Sequence, residues 1–182
     1  LALARMSKYK PLSLLVETYI WLMRGTPLML QLLFVYYALP LIPYIGITLS
    51  DSSAAIVAFV CNYAAYFAEI FRGGIQSIER GQYEASKVLG MTYVQTMRRI
   101  ILPQMIKRVL PPISNETITL VKDTSLIYVL AMNDLLRTAR TIVQREFDMA
   151  PFFIAAIFYL GMTLILTWMF NKLERRYAAY DE

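Results

Sequence analysis

Glu84-Ala85-Ser86, then Gly90, then Ile100-Ile101-Leu102-Pro103 punctuate residues 79–103, a polar stretch between the apolar runs 54–71 and 109–133. Residues 79–89 favour a helix and Gly90 stands where a left-handed, helix-ending residue is needed. Thr92, with Gln95 three positions later, reads as the capping box of a second helix. The stretch therefore predicts two short helices hinged at Gly90. At the bend, Ala85, Ser86 and Gly90 carry so little side chain that a partner's surface can approach the backbone closely. A knob of this shape suits a groove in another protein; the plainer alternative is a solvated amphipathic loop that ties two membrane spans together.

Composition places the flanking runs in a lipid bilayer. Hydrophobic residues make up 58% of the chain and the mean hydropathy is +0.48, above soluble domains with roughly 45 to 50% apolar residues. There is no His, and the single Cys61 lies inside an apolar run, where it reads as a packing residue. A zinc or iron site, a His-based triad and a disulfide framework all lack their parts. The net charge of +5 does not point to nucleic acid, because the basic residues crowd the ends of the apolar runs instead of forming a free face.

That distribution orients the chain. Residues 73–108 hold Arg80, Lys87, Arg98, Arg99, Lys107 and Arg108, whereas residues 39–53 hold no Lys or Arg. The positive-inside rule puts the first stretch in the cytoplasm and the second outside. Residues 25–50 are uncharged and are expected to contain a span ending near Leu39, before Pro40 and Pro43. Residues 54–71 and 151–170 read as two further spans, and residues 109–133 must cross as well if the basic tail of Lys172, Arg175 and Arg176 is cytoplasmic. Four crossings are expected, preceded by Leu1-Ala2-Leu3-Ala4-Arg5, which reads as the inner end of a fifth, N-terminal span and not as a signal peptide. Residues 11–23 read as a helix along the inner surface or leading into the next span, with Pro11 at its first position. Residues 134–150 carry both signs of charge and read as a short external helix docked on the spans or as a partner surface. The expected fold is all-α, a polytopic membrane helix bundle in one domain over residues 1–182.

The run 109–133 contains Asn115, Glu116, Thr119, Lys122 and Asp123. A central Lys or Asp costs about 2.5 to 3.5 kcal/mol on insertion scales, so two facing lipid would oppose insertion by roughly 5 to 7 kcal/mol. At about 100° per residue these five side chains fall within an arc of roughly 120°, away from lipid. A structural ion-pair network and the lining of a watery path both explain such a stripe. On the neighbouring run, Asn62, Tyr66, Glu69 and Gly73 recur on one helical face. Glu69 is expected to pair locally with Arg72. Pro111-Pro112 would kink or start a helix and free carbonyls, as broken helices beside a cavity do. A solute carrying an ammonium and a carboxylate would match Asp123 or Glu116 on one side and Lys122 on the other.

The spacing of Glu84-Ala85-Ser86, Gly90, Ile100 and Leu102-Pro103 resembles the coupling loop of ABC-transporter permeases, whose signature is Glu-Ala-Ala, three residues, Gly, nine residues, Ile, any residue, Leu-Pro. Ser86 in place of the second Ala is the sole departure. Arg24-Gly25-Thr26-Pro27-Leu28 with Gln31 and Tyr36-Tyr37, Ala68-Glu69-Ile70-Phe71-Arg72-Gly73-Gly74-Ile75, and Val121-Lys122-Asp123-Thr124-Ser125-Leu126 are similar to the polar amino acid uptake branch. The resemblance implies a subunit of a bacterial importer in the inner membrane, with a second permease chain, identical or homologous, completing the path through the lipid. It implies two ATP-binding subunits that hold ATP and Mg, an extracytoplasmic solute-binding protein, and a polar amino acid as cargo. Glu84, Ala85, Ser86, Gly90, Leu102 and Pro103 would form the ATPase-coupling segment, and Glu116, Thr119, Lys122, Asp123 and Asn62 the solute-binding set. No Gly-rich phosphate loop occurs in the chain, so hydrolysis belongs to the partner. Two other classes compete: a membrane anchor or sensor recruiting a cytoplasmic protein through the same helix pair, and an intramembrane enzyme using Asp123 and Glu116 as acid and base. The enzyme would need a second carboxylate facing Asp123.

Overall fold

The computed structural model describes residues 1–43 and 46–178; positions 44 and 45 of the expected external stretch and positions 179–182 lie outside the described residues. Every regular element among them is helical, in the order α1 (Ala2–Arg5), α2 (Lys10–Gly25), α3 (Leu28–Leu33), α4 (Asp51–Gln76), α5 (Arg80–Val88), α6 (Tyr93–Thr96), α7 (Leu102–Asp123), α8 (Leu135–Glu146) and α9 (Ala150–Ala178). A π-helical turn, Phe34–Ala38, and a 3-10 turn, Leu39–Leu41, extend α3; a second π turn, Met97–Ile101, joins α6 to α7, and the 3-10 segment Thr124–Leu130 continues α7.

Two helices are long and apolar enough to cross a bilayer, Asp51–Gln76 and Ala150–Tyr177. The first is central. Ser50 caps it by accepting the Ser53 N–H at 3.3 Å, and its buried positions Ala54, Ala55, Ala58, Ala65, Ala68 and Gly74 let neighbours approach closely. Small residues serve this purpose where lipid supplies no hydrophobic drive between helices. At Gly74 the approach of α7 is so tight that a Cβ would stand 2.1 Å from Val109 Cγ1. The second, α9, leaves Ile157, Leu160, Leu164 and Trp168 about two thirds exposed, an apolar surface suited to lipid.

The span expected after residue 25 and ending near Leu39 is helical from Leu28 to Leu41, and a sharp break precedes it. The α2 helix ends at Gly25, Thr26 is extended at φ −118 and ψ 147, and Pro27 caps α3, so that Lys10–Gly25 and Leu28–Leu41 are bent by 107°. The local bias favours this, since a residue before Pro is pushed toward the extended conformation that Thr26 adopts. Residues 11–23 lie within the first half of this pair: Val16 and Ile20 bury against Ala65 and Ala68, and the Tyr19 hydroxyl donates to the Cys61 carbonyl at 2.5 Å. On the far side of the break, Leu28 and Leu32 pack on Ala55, Ala58 and Leu130.

Helix α7 begins at Leu102, well before residue 109, and passes through Pro111 and Pro112 without ending. The chain does not start a helix there. Pro103 sits in the first turn, where a missing N–H costs nothing. The helix ends at Asp123, and the remaining residues of the expected span tighten into the 3-10 segment before Ala131 turns left-handed at φ 59. Residues 134–150 contain α8, capped by Asp134, whose carboxylate accepts the Leu136 and Arg137 N–H groups at 3.3 and 2.8 Å; α8 packs on α9.

Candidate functional site

The break between α2 and α3 faces the middle of α4 and one side of α7, and these elements border an open cavity of about 670 Å³. Its polar lining is Arg24, Thr26, Asn62, Tyr63, Glu116 and Asp123, with Thr119 between the last two. Breaking a helix in lipid leaves carbonyls that need partners. Gln31 Nε2 donates to the Met23 carbonyl at 2.9 Å and to Thr26 Oγ1 at 2.8 Å, while Asn62 Nδ2 donates to the Met23 carbonyl and to Gln31 Oε1, both at 3.0 Å. Asn62 thus lines the cavity, but both of its amide contacts hold the break in shape.

The acidic side of the cavity comes from α7. Tyr63 donates its hydroxyl to Asp123 Oδ2 at 2.8 Å, and Glu116 lies two turns earlier on the same side. Thr119 turns its hydroxyl back to the Asn115 carbonyl at 3.0 Å. Lys122 is not in this lining; it is exposed, and its ammonium has no hydrogen bond or ion pair among the described residues. Asn115 borders an adjoining cavity of about 460 Å³ with Arg24, Tyr66, Glu69, Pro112 and Glu116. Glu69 makes the expected pair: Arg72 Nε and Nη2 reach its two oxygens at 3.0 and 2.6 Å, and Arg24 Nη1 stands 3.8 Å from Oε2.

At one end of α4 and α7 lies the helix pair α5–α6. Gly90 is left-handed at φ 69, its N–H reaches the Lys87 carbonyl at 2.9 Å, and the Met91 N–H reaches the Ser86 carbonyl at 3.0 Å. This is a Schellman closure. Thr92 and Gln95 form both halves of the capping box at 3.3 and 2.8 Å. Ser86, one of the three small residues at the bend, faces inward. It is 1% exposed, donates to the Tyr83 carbonyl at 2.8 Å and accepts from Thr96 Oγ1 at 3.0 Å, so it locks α5 to α6. Glu84, Ala85 and Gly90 are exposed, and Val88, Leu89, Tyr93 and Val94 expose 60 to 87% of their surface beside them. Burial, and then the neighbouring Tyr93, raise the Tyr83 phenol above its usual range. Leu102 packs against the Ile75, Met105 and Val109 cluster, and Pro103 is exposed.

Residues 1–179 match the family described as binding-protein-dependent transport system inner membrane component. The chain belongs to that family. Among its relatives, it is 43% identical over 181 residues to the probable amino-acid ABC transporter permease protein YckA of Bacillus subtilis, covering 99% of this chain and 79% of the relative. Identity to the L-cystine transport system permease protein TcyB of the same organism is 39%, over 98% of this chain and 76% of that one. A crystal structure of an amino acid ABC transporter with histidines superposes with a TM-score of 0.87 at 39% identity, over 96% of this chain and 81% of that chain. This permease is therefore a transport component, and ATP hydrolysis resides in a partner subunit.

Three residues that shape the cavity had no role assigned from sequence. Arg24 and Gln31 lay in a motif whose geometry depends on the 107° bend, and Tyr63 lay one residue beside the polar face of α4. Only the bend could have marked the first two. A helical wheel wide enough to include positions 100° from Asn62 would have marked Tyr63.

Proposed function

We propose that this permease forms one half of the translocation path of an ATP-driven importer for a zwitterionic or cationic amino acid. The observation that carries the reading is the arrangement of α4 and α7: the same two helices border the polar cavity and emerge into the exposed α5–α6 knob. A push on the knob is a push on the cavity walls. Glu116, Thr119, Asp123 and Asn62 line the solute chamber, with Lys122 outside its lining, and Glu84, Ala85, Ser86, Gly90, Leu102 and Pro103 build or brace the coupling segment. Of these, Glu84, Ala85 and Gly90 meet the ATPase, while Ser86 locks the two helices of the knob together and Leu102 packs the start of α7 against α4.

In the assembled importer, two permease chains, identical or homologous, sit in the inner membrane with two ATPases on their coupling helices and a solute-binding protein on the other side. The knob and the C-terminal end of α9 are cytoplasmic by the positive-inside rule. The α2–α3 pair, α4, α7 and α9 make four crossings. Closure of the ATPases around ATP moves the knobs and opens the chamber to one side at a time.

Proteoliposomes holding the permease, its ATPase and its binding protein test this. Uptake of an amino acid that needs ATP inside and stops with Gly90→Val supports the reading. Uptake indifferent to ATP, or recruitment of a cytoplasmic protein with no uptake of any amino acid, would replace it with the anchor reading.

A further inference from the structure

The cavity presents two carboxylates, Glu116 and Asp123, and a single cation, Arg24. The expected cation, Lys122, lies outside it. Resting on the functional reading above, we infer that Arg24 is the anchor for the α-carboxylate of the transported amino acid.

Arg24 closes α2 immediately before the break, so the bend aims its side chain at α4 and α7 instead of along α3. Its guanidinium offers five N–H donors in a fixed fork. Among the described residues that fork makes no hydrogen bond. Its single ion pair, to Glu69 Oε2, is long at 3.8 Å, and both Glu69 oxygens are already held by Arg72. The Tyr66 ring lies 5.3 Å from the guanidinium carbon and supports one face of it. A planar cation held by its flank, with donors uncommitted and 44% of the side chain exposed beside a polar cavity, is a half-made carboxylate site.

The two carboxylates complete the match. A ligand with a carboxylate alone would be repelled by Glu116 and Asp123, whereas an α-amino acid can place its ammonium toward them. Arg24, Tyr66 and Glu116 also border the adjoining cavity that contains Glu69. The fork therefore stands between the chamber and an occupied carboxylate, so an arriving solute needs to displace only the long contact.

Equilibrium binding to the permease–ATPase complex in nanodiscs, without the binding protein, tests this. The twenty amino acids are screened first, and the tightest is compared with its α-carboxamide, which keeps the ammonium and side chain but has no carboxylate. Wild type is expected to favour the acid. Loss of a charge-assisted pair in Arg24→Gln should weaken the acid by about tenfold or more and leave the amide within about twofold, with Arg24→Lys intermediate. Equal weakening of acid and amide makes Arg24 a structural residue and overturns the assignment, as does unchanged acid binding. If wild type binds none of the twenty, the functional reading falls and this assignment with it.

Discussion

Tyr63 and Asp123, sixty residues apart in sequence, meet through a 2.8 Å hydrogen bond from the Tyr63 hydroxyl to Oδ2. The contact joins the middle of α4 to the last residue of α7 at the rim of the cavity, where α7 gives way to the 3-10 segment. It orients one carboxylate oxygen, Oδ2, toward α4.

Removing that donor should weaken solute binding without unfolding the bundle. A hydrogen bond to a charged group contributes about 1.5 to 3 kcal/mol, so Tyr63→Phe is expected to lower affinity by about tenfold or more. Asp123→Ala should lower transport further while the complex still assembles. Uptake kinetics and gel-filtration profiles of both variants check this, and wild-type kinetics in Asp123→Ala would remove it from the solute site.

Gly74 sets how closely α4 and α7 approach. A methyl there would stand 2.1 Å from Val109 Cγ1 and 3.0 Å from Met105 Cγ, and overpacking of this kind costs about 1 to 3 kcal/mol. Gly74→Ala should lower the melting temperature of the purified complex, and Val109→Ala in the same chain should recover part of the loss. Gly73→Ala, where the methyl meets nothing within 4 Å, is the neutral comparison. Equal melting temperatures for the two alanine variants would contradict this packing.

Gly90 adopts φ 69, a conformation that costs other residues about 1 to 2 kcal/mol and β-branched ones most. Gly90→Val is expected to distort the hinge and cut solute-stimulated ATP hydrolysis strongly, whereas Gly90→Asn should keep much of it. Basal hydrolysis by the free ATPase serves as the reference. Full stimulation in Gly90→Val would show that the hinge does not transmit the stroke.

The Ser86–Thr96 pair predicts a non-additive result. Ser86→Ala leaves the buried Thr96 hydroxyl without its acceptor, a loss of about 1 to 3 kcal/mol, while Ser86→Ala with Thr96→Val removes both polar groups and should be close to neutral. A double-mutant cycle on thermal stability measures the coupling. Strict additivity would mean that the two hydroxyls do not interact.

Much of the coupling segment, and one ion pair on α4, was legible because the determinants are local. Gly90, the Thr92–Gln95 box and the Glu69–Arg72 pair each depend on residues three to five positions apart, and each appears as read. The site was less legible. The small size of Ser86 says nothing about its direction, which is inward, and an arc of 120° is too coarse to separate a lining residue from an exposed neighbour such as Lys122.

By itself the sequence determined that this is an all-helical membrane protein, where its uncharged runs lie, and that a two-helix knob divides them. Those properties follow from hydropathy, charge and short-range hydrogen bonding, which act between residues near one another in the chain. Only the tertiary structure decided that α2 and α3 bend by 107°, that Asn62 and Gln31 secure the bend, and that Arg24 enters the cavity while Lys122 stays out. The reason is geometric: where a side chain ends up after a broken helix depends on which distant groups satisfy the freed backbone, and no periodicity along the chain encodes that partner.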